Sequence, residues 1–308
     1  MRWLVTGAGG LLGHDLLRRL LEEGEPAVGL PRTELDVTDA AAVRAAVRDL
    51  RPDVIVNCAA FTAVDDAEHD PARALRVNRD GPGNLAAACA DTSTRLLHIS
   101  TDYVFAGGAT RPYPVDAGPA PRTVYGRTKL AGERAVLSLL PHTGHVVRTA
   151  WLYGAVGRNF VRTMIRLERE RETVEVVTDQ RGQPTWSLDL AEWLLWLGRG
   201  TLDGAIRPGV HHATADGETT WYELARETFR LLGADPDRVR PTTSDILRRA
   251  AVRPSYSVLA PRGSDKAAPG PMRHWRTALA EAVPKLVEAE LNAAGQPTCS
   301  LAAARRSA

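Results

Sequence analysis

The stretch WLVTGAGGLLG, residues 3–13, indicates which fold this chain adopts. It opens with a short apolar, β-branched run, which is typical of a strand buried on both faces of a parallel sheet. Gly7, Gly10 and Gly13 follow, and an amphipathic helical pattern begins among them. Glycines at these positions allow a tight turn and let backbone N–H groups approach a pyrophosphate at the helix N-terminus. Because they lie between a strand and a helix, a dinucleotide-binding loop is favoured over a turn without a ligand.

Strands and helices continue to alternate up to about residue 150. Further apolar runs predict strands at 53–57, 96–100 and 146–150, and helical patterns lie at about 11–23, 39–50, 81–91 and 126–140. Alternation with connections of this length predicts an α/β fold with a Rossmann-type, doubly wound parallel sheet.

After residue 150 the rhythm of the elements changes. Helical patterns lie near 159–171, 187–199, 219–232 and 275–292, and strand patterns at 174–178 and 210–214. These pieces predict a smaller C-terminal α/β domain. We expect an NAD(P)-binding Rossmann domain at 1–150 with returning segments near 185–215, a substrate domain mainly at 151–292, and a loose tail at 293–308.

The composition excludes several classes of partner. The 308-residue chain has 39 Lys+Arg and 37 Asp+Glu residues, and this balance gives no general attraction to nucleic acid or to an anionic membrane. It has no apolar run long enough to span a membrane, no signal-peptide pattern, and three cysteines without C-x-x-C spacing. We expect a reduced, cytoplasmic protein. His211 and His212 lack a third ligand at metal spacing, so no metal site is expected.

The segment AVGLPRTELDV, residues 27–37, carries the end of the second strand and bears on the choice of dinucleotide. NAD-specific sites place an acidic side chain here for the ribose 2′-OH, whereas this chain has Leu30, Pro31 and Arg32. Arg32 is a candidate partner for a 2′-phosphate, so NADPH is favoured and NADH stays possible. A solvated loop charge is an equally weighted alternative for Arg32. After the third strand, Ala59 and Ala60 fit the close passage of a dinucleotide, with tight packing as the alternative.

Polar residues at the end of the fourth strand and on the next helix suggest a reaction. Thr101, Asp102 and Tyr103 lie at the sheet edge where ligands bind. Tyr125 and Lys129 stand four residues apart on a predicted helix, so they share a face.

Reducing a ketone requires a hydride at carbon and a proton at oxygen. Tyrosine, with a pKa near 10, is a poor acid at neutral pH until a cation stabilises its phenolate. Lys129 can supply that charge and reach the nicotinamide ribose, and Thr101 can hydrogen-bond the carbonyl oxygen. On spacing alone Tyr125 and Lys129 are a solvated pair, but the glycine loop and the fourth strand favour the catalytic interpretation.

Nine motifs extend the pattern over about residues 1–290: GAGGLLG, CAAFTAVDDAE, VNRDGPGNLA, STDYVF, VYGRTKLAGE, RTAWLYG, NFV, DQRGQPT and RPSYSVL. In this order the chain resembles the dTDP-4-dehydrorhamnose reductases, a family of extended short-chain dehydrogenases/reductases. The resemblance implies reduction of the 4-keto group of a dTDP-4-keto-6-deoxyhexose with NADPH or NADH, giving dTDP-L-rhamnose or a related deoxysugar. It also implies that 151–292 binds mainly the nucleotide sugar.

The same resemblance implies roles for individual residues. The catalytic set is Thr101, Tyr125 and Lys129. The implied cofactor shell comprises Gly7, Gly10, Leu11, Leu12, Gly13, Asp36, Val37, Ala59, Ala60 and Thr62. Arg32, predicted above, and the catalytic Tyr125 and Lys129 complete the set of expected cofactor contacts. The implied substrate contacts are Val64, Thr101, Asp102, Tyr103, Trp151 and Arg253. Arg253 is a candidate for the diphosphate, because a guanidinium suits phosphate geometry, with a structural role as the alternative.

The chain also departs from the family pattern. The acidic residue that some members carry after strand two is absent, the acidic pair before the prolines of the loop after strand four is reduced to Asp116, and Ile246 and Leu247 replace a usual aromatic-proline step. The substrate is therefore open between a rhamnose precursor and an antibiotic-pathway keto-sugar, as for a dTDP-dihydrostreptose synthase. Asp65, Asp66 and Glu68 are expected on a solvated loop edge, although some members of the family use acidic residues for a dimer-linked Mg²⁺.

Two other classes compete with the reductase. A non-catalytic NADP-binding regulatory subunit, as in methionine adenosyltransferase, shares the fold, but it has no chemical need of all three catalytic residues. The 4,6-dehydratases place an Asp-Glu pair where this chain has Asp102 and Tyr103, and epimerases usually have the missing acidic residue after strand two. A monomer or a homodimer is expected.

Overall fold

A computed structural model describes residues 1–260 and 272–295 of the chain. Strands and helices alternate through the first 150 residues, as predicted. In chain order they are β1 (Trp3–Thr6), α1 (Leu11–Glu22), β2 (Ala27–Leu30), α2 (Ala40–Leu50), β3 (Val54–Asn57), α3 (Val64–His69), α4 (Pro71–Leu75), α5 (Gly81–Cys89), β4 (Arg95–Thr101), α6 (Val124–Leu139) and β5 (Gly144–Thr149).

The second half has longer helices and shorter strands. Its elements are β6 (Leu152–Tyr153), α7 (Phe160–Glu170), β7 (Val174–Val177), β8 (Arg181–Gly182), β9 (Thr185–Trp186), α8 (Ser187–Leu202), β10 (Gly209–His212), β11 (Ala215–Asp216), β12 (Thr219–Thr220), α9 (Trp221–Leu231), β13 (Val239–Thr242), α10 (Ser244–Leu247), β14 (Met272–His274) and α11 (Trp275–Gly295). Helix α11 thus continues three residues into the predicted tail, and 296–308 lie outside the described residues.

Six strands form a parallel sheet in the order β10-β5-β4-β3-β1-β2. The strand order reverses beside β1, which has β2 on one side and β3 on the other. Thr6 and Asn57, the last residues of β1 and β3, are paired in register at this switch point, where sheets of this kind bind ligands. The predicted Rossmann-type α/β fold is confirmed.

Helices cover both faces of the sheet because successive side chains on each strand point to opposite sides. Trp3 and Val5 of β1 pack in a core with α1 and α8, whereas Leu4 packs in a second core with α2, α5 and α6. Strand β10 extends the same sheet beside β5. The division of the chain into two domains stays a prediction.

Among residues 1–260 and 272–295, the remaining strands form four short pairs, β6 with β9, β7 with β13, β8 with β12 and β11 with β14. Helices α7, α9 and α11 pack over them, around a core that includes Val161, Leu224, Trp275 and Leu279. No helix among the described residues is long and apolar enough to cross a membrane.

The link from β3 to α5 contains structure that the sequence pattern did not predict. Helices α3 and α4 are followed by a π-helical turn at Arg76–Asp80. Pro82, in the first turn of α5, has no N–H to donate to the carbonyl of Asn78, which accounts for the looser turn. The side chain of Asn78 instead bonds the backbone of Phe61 and the hydroxyl of Thr128 on α6.

Candidate active site

The glycine loop after β1 is built for close backbone approach. Gly7 has a φ of +67°, which favours glycine, and a Cβ there would lie 2.7 Å from the Ala59 nitrogen. A Cβ on Gly13 would lie 2.4 Å from the Gly7 oxygen. Gly10 is the N-cap of α1 and has no side chain to cap it, so the first N–H groups of the helix stay available to an anion.

A cavity of about 350 Å³ opens beside this loop. It contains seven predicted cofactor residues and five that sequence reasoning missed. The former are Gly7, Gly10, Arg32, Asp36, Val37, Ala59 and Ala60, and the latter are Gly9, Leu35, Cys58, Phe61 and Val77. Of the other predicted cofactor residues, Leu12 is buried in the core under the loop and Leu11 packs partly against it, while Thr62 is exposed.

The far end of the cavity combines one positive and one negative side chain. Asp36 accepts hydrogen bonds from the backbone and the hydroxyl of Thr38, which lower the pKa of its carboxyl. Arg32 is largely exposed, with its guanidinium 3.8 Å from the Asp36 carboxylate. An exposed ion pair of this length holds the arginine weakly. Arg32 therefore has the freedom to bind an anion at this end.

Thr101 and Tyr125 meet where β4 ends and α6 begins. Thr123 caps α6 by accepting from the Gly126 nitrogen, which places Tyr125 in the first turn. Burial raises the pKa of Tyr125 to about 12, with a Thr101 hydrogen bond opposing this rise and the charge of Asp102 adding to it. Without cofactor, Tyr125 is thus a neutral phenol at pH 7, the form that can donate a proton.

Lys129 lies one helical turn further on and is buried. Its Nζ donates to the Ile99 carbonyl at 2.6 Å and lies 3.3 Å from Nε2 of His98. Burial lowers the pKa of Lys129 to about 8, although the charges of Glu133 and Cys58 act in the opposite direction. No pattern in the sequence singled out His98, because it occupies an inner position of a buried strand.

A buried ion pair fixes α6 against the sheet. The Glu133 carboxylate accepts from Nε and Nη2 of Arg148 on β5, at 2.9 and 2.7 Å, and from the Ser100 hydroxyl on β4. Glu133 belongs to the same decapeptide as Tyr125 and Lys129. The helix that carries the reactive residues is therefore held on two strands at once.

Asp102 is buried beside the reaction centre. One carboxylate oxygen accepts from the Thr101 hydroxyl at 2.9 Å, and the other has no hydrogen-bond partner within the described residues. Burial raises the pKa of Asp102 to about 6, and the nearby Ser257 hydroxyl opposes the rise. Ser257 belongs to the RPSYSVL motif, which brings the second half of the chain to this point.

Arg253 joins the same region through a long-range ion pair. Its Nη2 donates to Asp65 at 2.7 Å, and Asp65 also accepts from the Ala251 nitrogen. The opposite nitrogen, Nη1, is buried without a hydrogen-bond partner in the part of the chain that the structure describes. Tyr103 lies beside this guanidinium, whose positive charge partly offsets the effect of burial, which raises the pKa of Tyr103.

The expected solvated edge at Asp65, Asp66 and Glu68 is therefore wrong for two of its members. Asp65 is half-buried against Arg253, and Glu68 accepts from the Val124 nitrogen at the start of α6. Asp66 is exposed. The partners of the first two residues are distant in sequence, which is why local patterns did not reveal them.

Trp151 packs in an aromatic cluster built from the second half of the chain. It has a φ of +47° and stacks on Trp221 with ring centroids 3.5 Å apart. Gly182 makes room for the indole, since a Cβ there would lie 2.4 Å from it. Gln180 accepts from the Trp221 indole nitrogen. Val64, also predicted as a sugar contact, is half-buried at the start of α3.

Five of the six predicted substrate residues thus divide into two observed groups. The structure brings Thr101, Asp102, Tyr103 and Arg253 together through direct contacts. Trp151 belongs to an aromatic stack with Trp221 and Phe160.

Similarity to known proteins extends over almost the whole chain. The family model described as RmlD substrate binding domain matches residues 1–288. The dTDP-4-dehydrorhamnose reductase of Streptomyces griseus is 59% identical over 285 residues, covering 92% of this chain and 94% of that protein. The dTDP-4-keto-6-deoxy-D-glucose reductase of Streptomyces niveus is 55% identical, covering 92% and 97%.

Solved structures give the same result. The Bacillus anthracis dTDP-4-dehydrorhamnose reductase in complex with NADP has a TM-score of 0.87 and 36% identity, covering 92% of this chain and 99% of that one. The Clostridium acetobutylicum dTDP-4-dehydrorhamnose reductase has a TM-score of 0.86 and 38% identity, covering 93% and 99%. Sequence, fold and motifs agree, and this chain belongs to the dTDP-4-dehydrorhamnose reductase family.

Proposed function

We propose that this chain is an NADPH-dependent reductase of the 4-keto group of a dTDP-4-keto-6-deoxyhexose. The proposal rests on one observation: Tyr125 meets Thr101 and Asp102 at the carboxyl end of β4. Tyr125 lies on α6, the helix that also carries Lys129. A structure of a family member in complex with NADP supports the choice of cofactor.

The cradle of Gly7, Gly10 and Gly13 fits a dinucleotide, because any added Cβ at Gly7 or Gly13 would meet backbone atoms. The helix N-terminus would hold the pyrophosphate, and Arg32 a 2′-phosphate. When bound, NADPH supplies the hydride that reduces the carbonyl carbon.

The chain's own residues handle the proton. The Tyr125 hydroxyl donates its proton to the carbonyl oxygen as negative charge develops there. The Thr101 hydroxyl turns from Asp102 to donate a hydrogen bond to the same oxygen. Lys129 in its charged form stabilises the resulting phenolate. Nη1 of Arg253, buried without a hydrogen-bond partner among residues 1–260 and 272–295, suits a diphosphate oxygen, and Trp151 suits the sugar side.

The substrate lies among dTDP-4-keto-6-deoxyhexoses, and the relatives favour two sugars. One relative is named for dTDP-4-dehydrorhamnose and another for dTDP-4-keto-6-deoxy-D-glucose. The proposal includes a cytoplasmic location and a monomer or homodimer.

Turnover of purified protein tests this function. We expect NADPH oxidation with dTDP-6-deoxy-L-lyxo-4-hexulose or dTDP-4-keto-6-deoxy-D-glucose, with the product configuration read by NMR. NADPH binding without oxidation in the presence of either sugar would contradict the reductase and favour the regulatory subunit.

A further inference from the structure

A buried row of polar side chains runs from the first strand to Lys129, across the sheet. Thr6, Asn57 and His98 lie on β1, β3 and β4, and each is at most 1% exposed. The Thr6 hydroxyl donates to Oδ1 of Asn57 at 2.7 Å, Nδ2 of Asn57 lies 3.1 Å from Nδ1 of His98, and Nε2 of His98 lies 3.3 Å from Nζ of Lys129.

One backbone group fixes the orientation of the Asn57 amide. The Ala59 nitrogen lies 3.1 Å from Oδ1 of Asn57, and a backbone N–H can only donate. Oδ1 must therefore be the oxygen, and the NH₂ group must face His98. Since an amide NH₂ only donates, Nδ1 of His98 has to be the acceptor.

The acceptor role of Nδ1 determines the other ring nitrogen. A neutral imidazole carries its single proton on the nitrogen that does not accept, so Nε2 of His98 carries the hydrogen. Burial lowers the pKa of His98 well below its usual value, which keeps the ring neutral. An N–H bond therefore points at Nζ of Lys129. An ammonium group has no lone pair to accept it, whereas a neutral amine has one.

We propose that His98 is a positioning residue that favours the neutral amine form of Lys129 in the cofactor-free protein. The amine accepts from Nε2 of His98 and donates to the Ile99 carbonyl. The other titratable groups that act on Lys129 are Glu133, one turn along α6, and Cys58, after β3; both favour the charged form. Burial, and the N–H bond that His98 directs at Nζ, favour the neutral form of Lys129 instead.

The inference deepens the proposed function, and its catalytic consequence rests on that function. Lys129 has to bind a proton before it carries the charge that stabilises the Tyr125 phenolate. His98 therefore sets the pH at which the reaction centre is ready. The hydrogen-bond order itself is testable without turnover, so a failure of either idea can be recognised separately.

Lysine NMR gives a direct readout, since the chain has three lysines, Lys129, Lys266 and Lys285. In cofactor-free protein labelled with ¹³C- and ¹⁵N-lysine, we expect one signal, absent from Lys129→Met, to titrate near pH 8. Labelled histidine should show His98, assigned by loss of its signal in His98→Gln, with its proton on Nε2 from pH 6 to 9.

A variant that reverses the direction of the hydrogen bonds in this row gives the sharpest test. In Asn57→Asp the second carboxylate oxygen accepts from Nδ1–H of His98, which turns Nε2 into an acceptor for the Lys129 ammonium. We expect the His98 tautomer to reverse and the Lys129 titration to move up by about one pH unit. Asn57→Leu adds no charge but also removes the NH₂ group that fixes the His98 tautomer. A rise in the pH at which Lys129 titrates in this variant would therefore show that the order of the hydrogen bonds, and not an added charge, causes the effect.

Thr6→Val is the matched control, because the Ala59 nitrogen still orients Asn57 and both NMR signatures should stay unchanged. Wild-type protein with the proton on Nδ1 of His98, or with Lys129 titrating near 10, would overturn the proposal even if no variant folded. Unchanged Lys129 titration in folded Asn57→Leu with a reversed tautomer would also overturn it.

Discussion

Tyr125 illustrates the chemistry expected of a single residue at this site. Burial raises its pKa to about 12 in the cofactor-free chain, so the phenol keeps its proton until a substrate oxygen needs it. A catalytic acid has to release that proton during the reaction, which requires stabilisation of the phenolate. The hydrogen bond with Thr101 already acts in that direction.

Replacing Tyr125 by Phe removes the proton donor and little else. We expect Tyr125→Phe to lower kcat by about 10²- to 10⁴-fold, the usual size of a general-acid contribution, while the Kd for NADPH stays within about twofold. Stopped-flow turnover and fluorescence titration measure the two effects. Tyr222→Phe, on α9, is the matched control, and unchanged kcat in Tyr125→Phe would remove Tyr125 from the mechanism.

Asp102 should make stability depend on pH. Its pKa is about 6 in the fold and 3.8 as an ordinary carboxyl, so the folded state resists ionisation and loses stability as pH rises from 4 to 6. Asp102→Asn should thus raise the free energy of unfolding by about 1–3 kcal/mol at pH 7 and have almost no effect at pH 4. Urea unfolding at both pH values measures this, and equal changes at both would contradict the buried ionisation.

Arg32 is the residue on which the preference for NADPH is expected to depend. Its guanidinium is mostly exposed and only loosely paired with Asp36, so a 2′-phosphate can recruit it. Arg32→Ala should raise the KM for NADPH about tenfold, equivalent to ~1.4 kcal/mol, and leave the KM for NADH nearly unchanged. Steady-state kinetics with both cofactors provide the internal control. An equal rise for both would assign Arg32 a general role in binding.

At the scale of elements, α6 is the part that the site depends on most. It is capped by Thr123, held at its start by Glu68, bonded through Thr128 to the π-helical turn and joined to two strands through Glu133. A Cβ at Gly132 would lie 2.1 Å from the Asn78 carbonyl, so α6 and the turn are in direct backbone contact. Tyr125 and Lys129 are therefore carried by a helix with few ways to shift.

Breaking the buried pair on α6 should be costly. Glu133→Gln leaves the Arg148 guanidinium, only 4% exposed, without a countercharge, and we expect a loss of about 3–5 kcal/mol in the free energy of unfolding. Urea denaturation measures it. Glu170→Gln breaks the exposed pair with Arg166 and should change stability by less than about 0.5 kcal/mol. A similar small loss in Glu133→Gln would mean that the buried pair contributes little.

At the scale of the whole molecule, the pair between Asp65 and Arg253 ties two distant parts of the chain together. Asp65→Asn keeps a hydrogen-bond acceptor but removes the charge that orients the guanidinium. We expect the KM for the dTDP-sugar to rise about tenfold with kcat and the Kd for NADPH unchanged.

The neighbouring Asp66→Asn, at an exposed position, is the control for that variant. Steady-state kinetics and NADPH titration separate the outcomes. A loss of NADPH affinity in Asp65→Asn would place the pair on the cofactor side instead.

Local features of the sequence were enough to predict the sheet and the glycine loop. Buried strands and helices have their own periodicities, and the glycines lie within seven residues of each other. Contacts between distant segments were not predictable in this way. Asp65 looked solvated because Arg253 is 188 residues away, and His98 looked like one more strand residue because its partners lie on two other elements, β3 and α6.

That 188-residue separation also has a consequence in time. The glycine cradle needs only β1, α1 and β3, all within the first sixty residues, whereas the Arg253 pair has to close a long loop. During synthesis the nucleotide pocket can form well before the sugar side exists. In the finished protein the loop around Arg253 should open by local fluctuation more readily than the sheet, and its amides should exchange with solvent first.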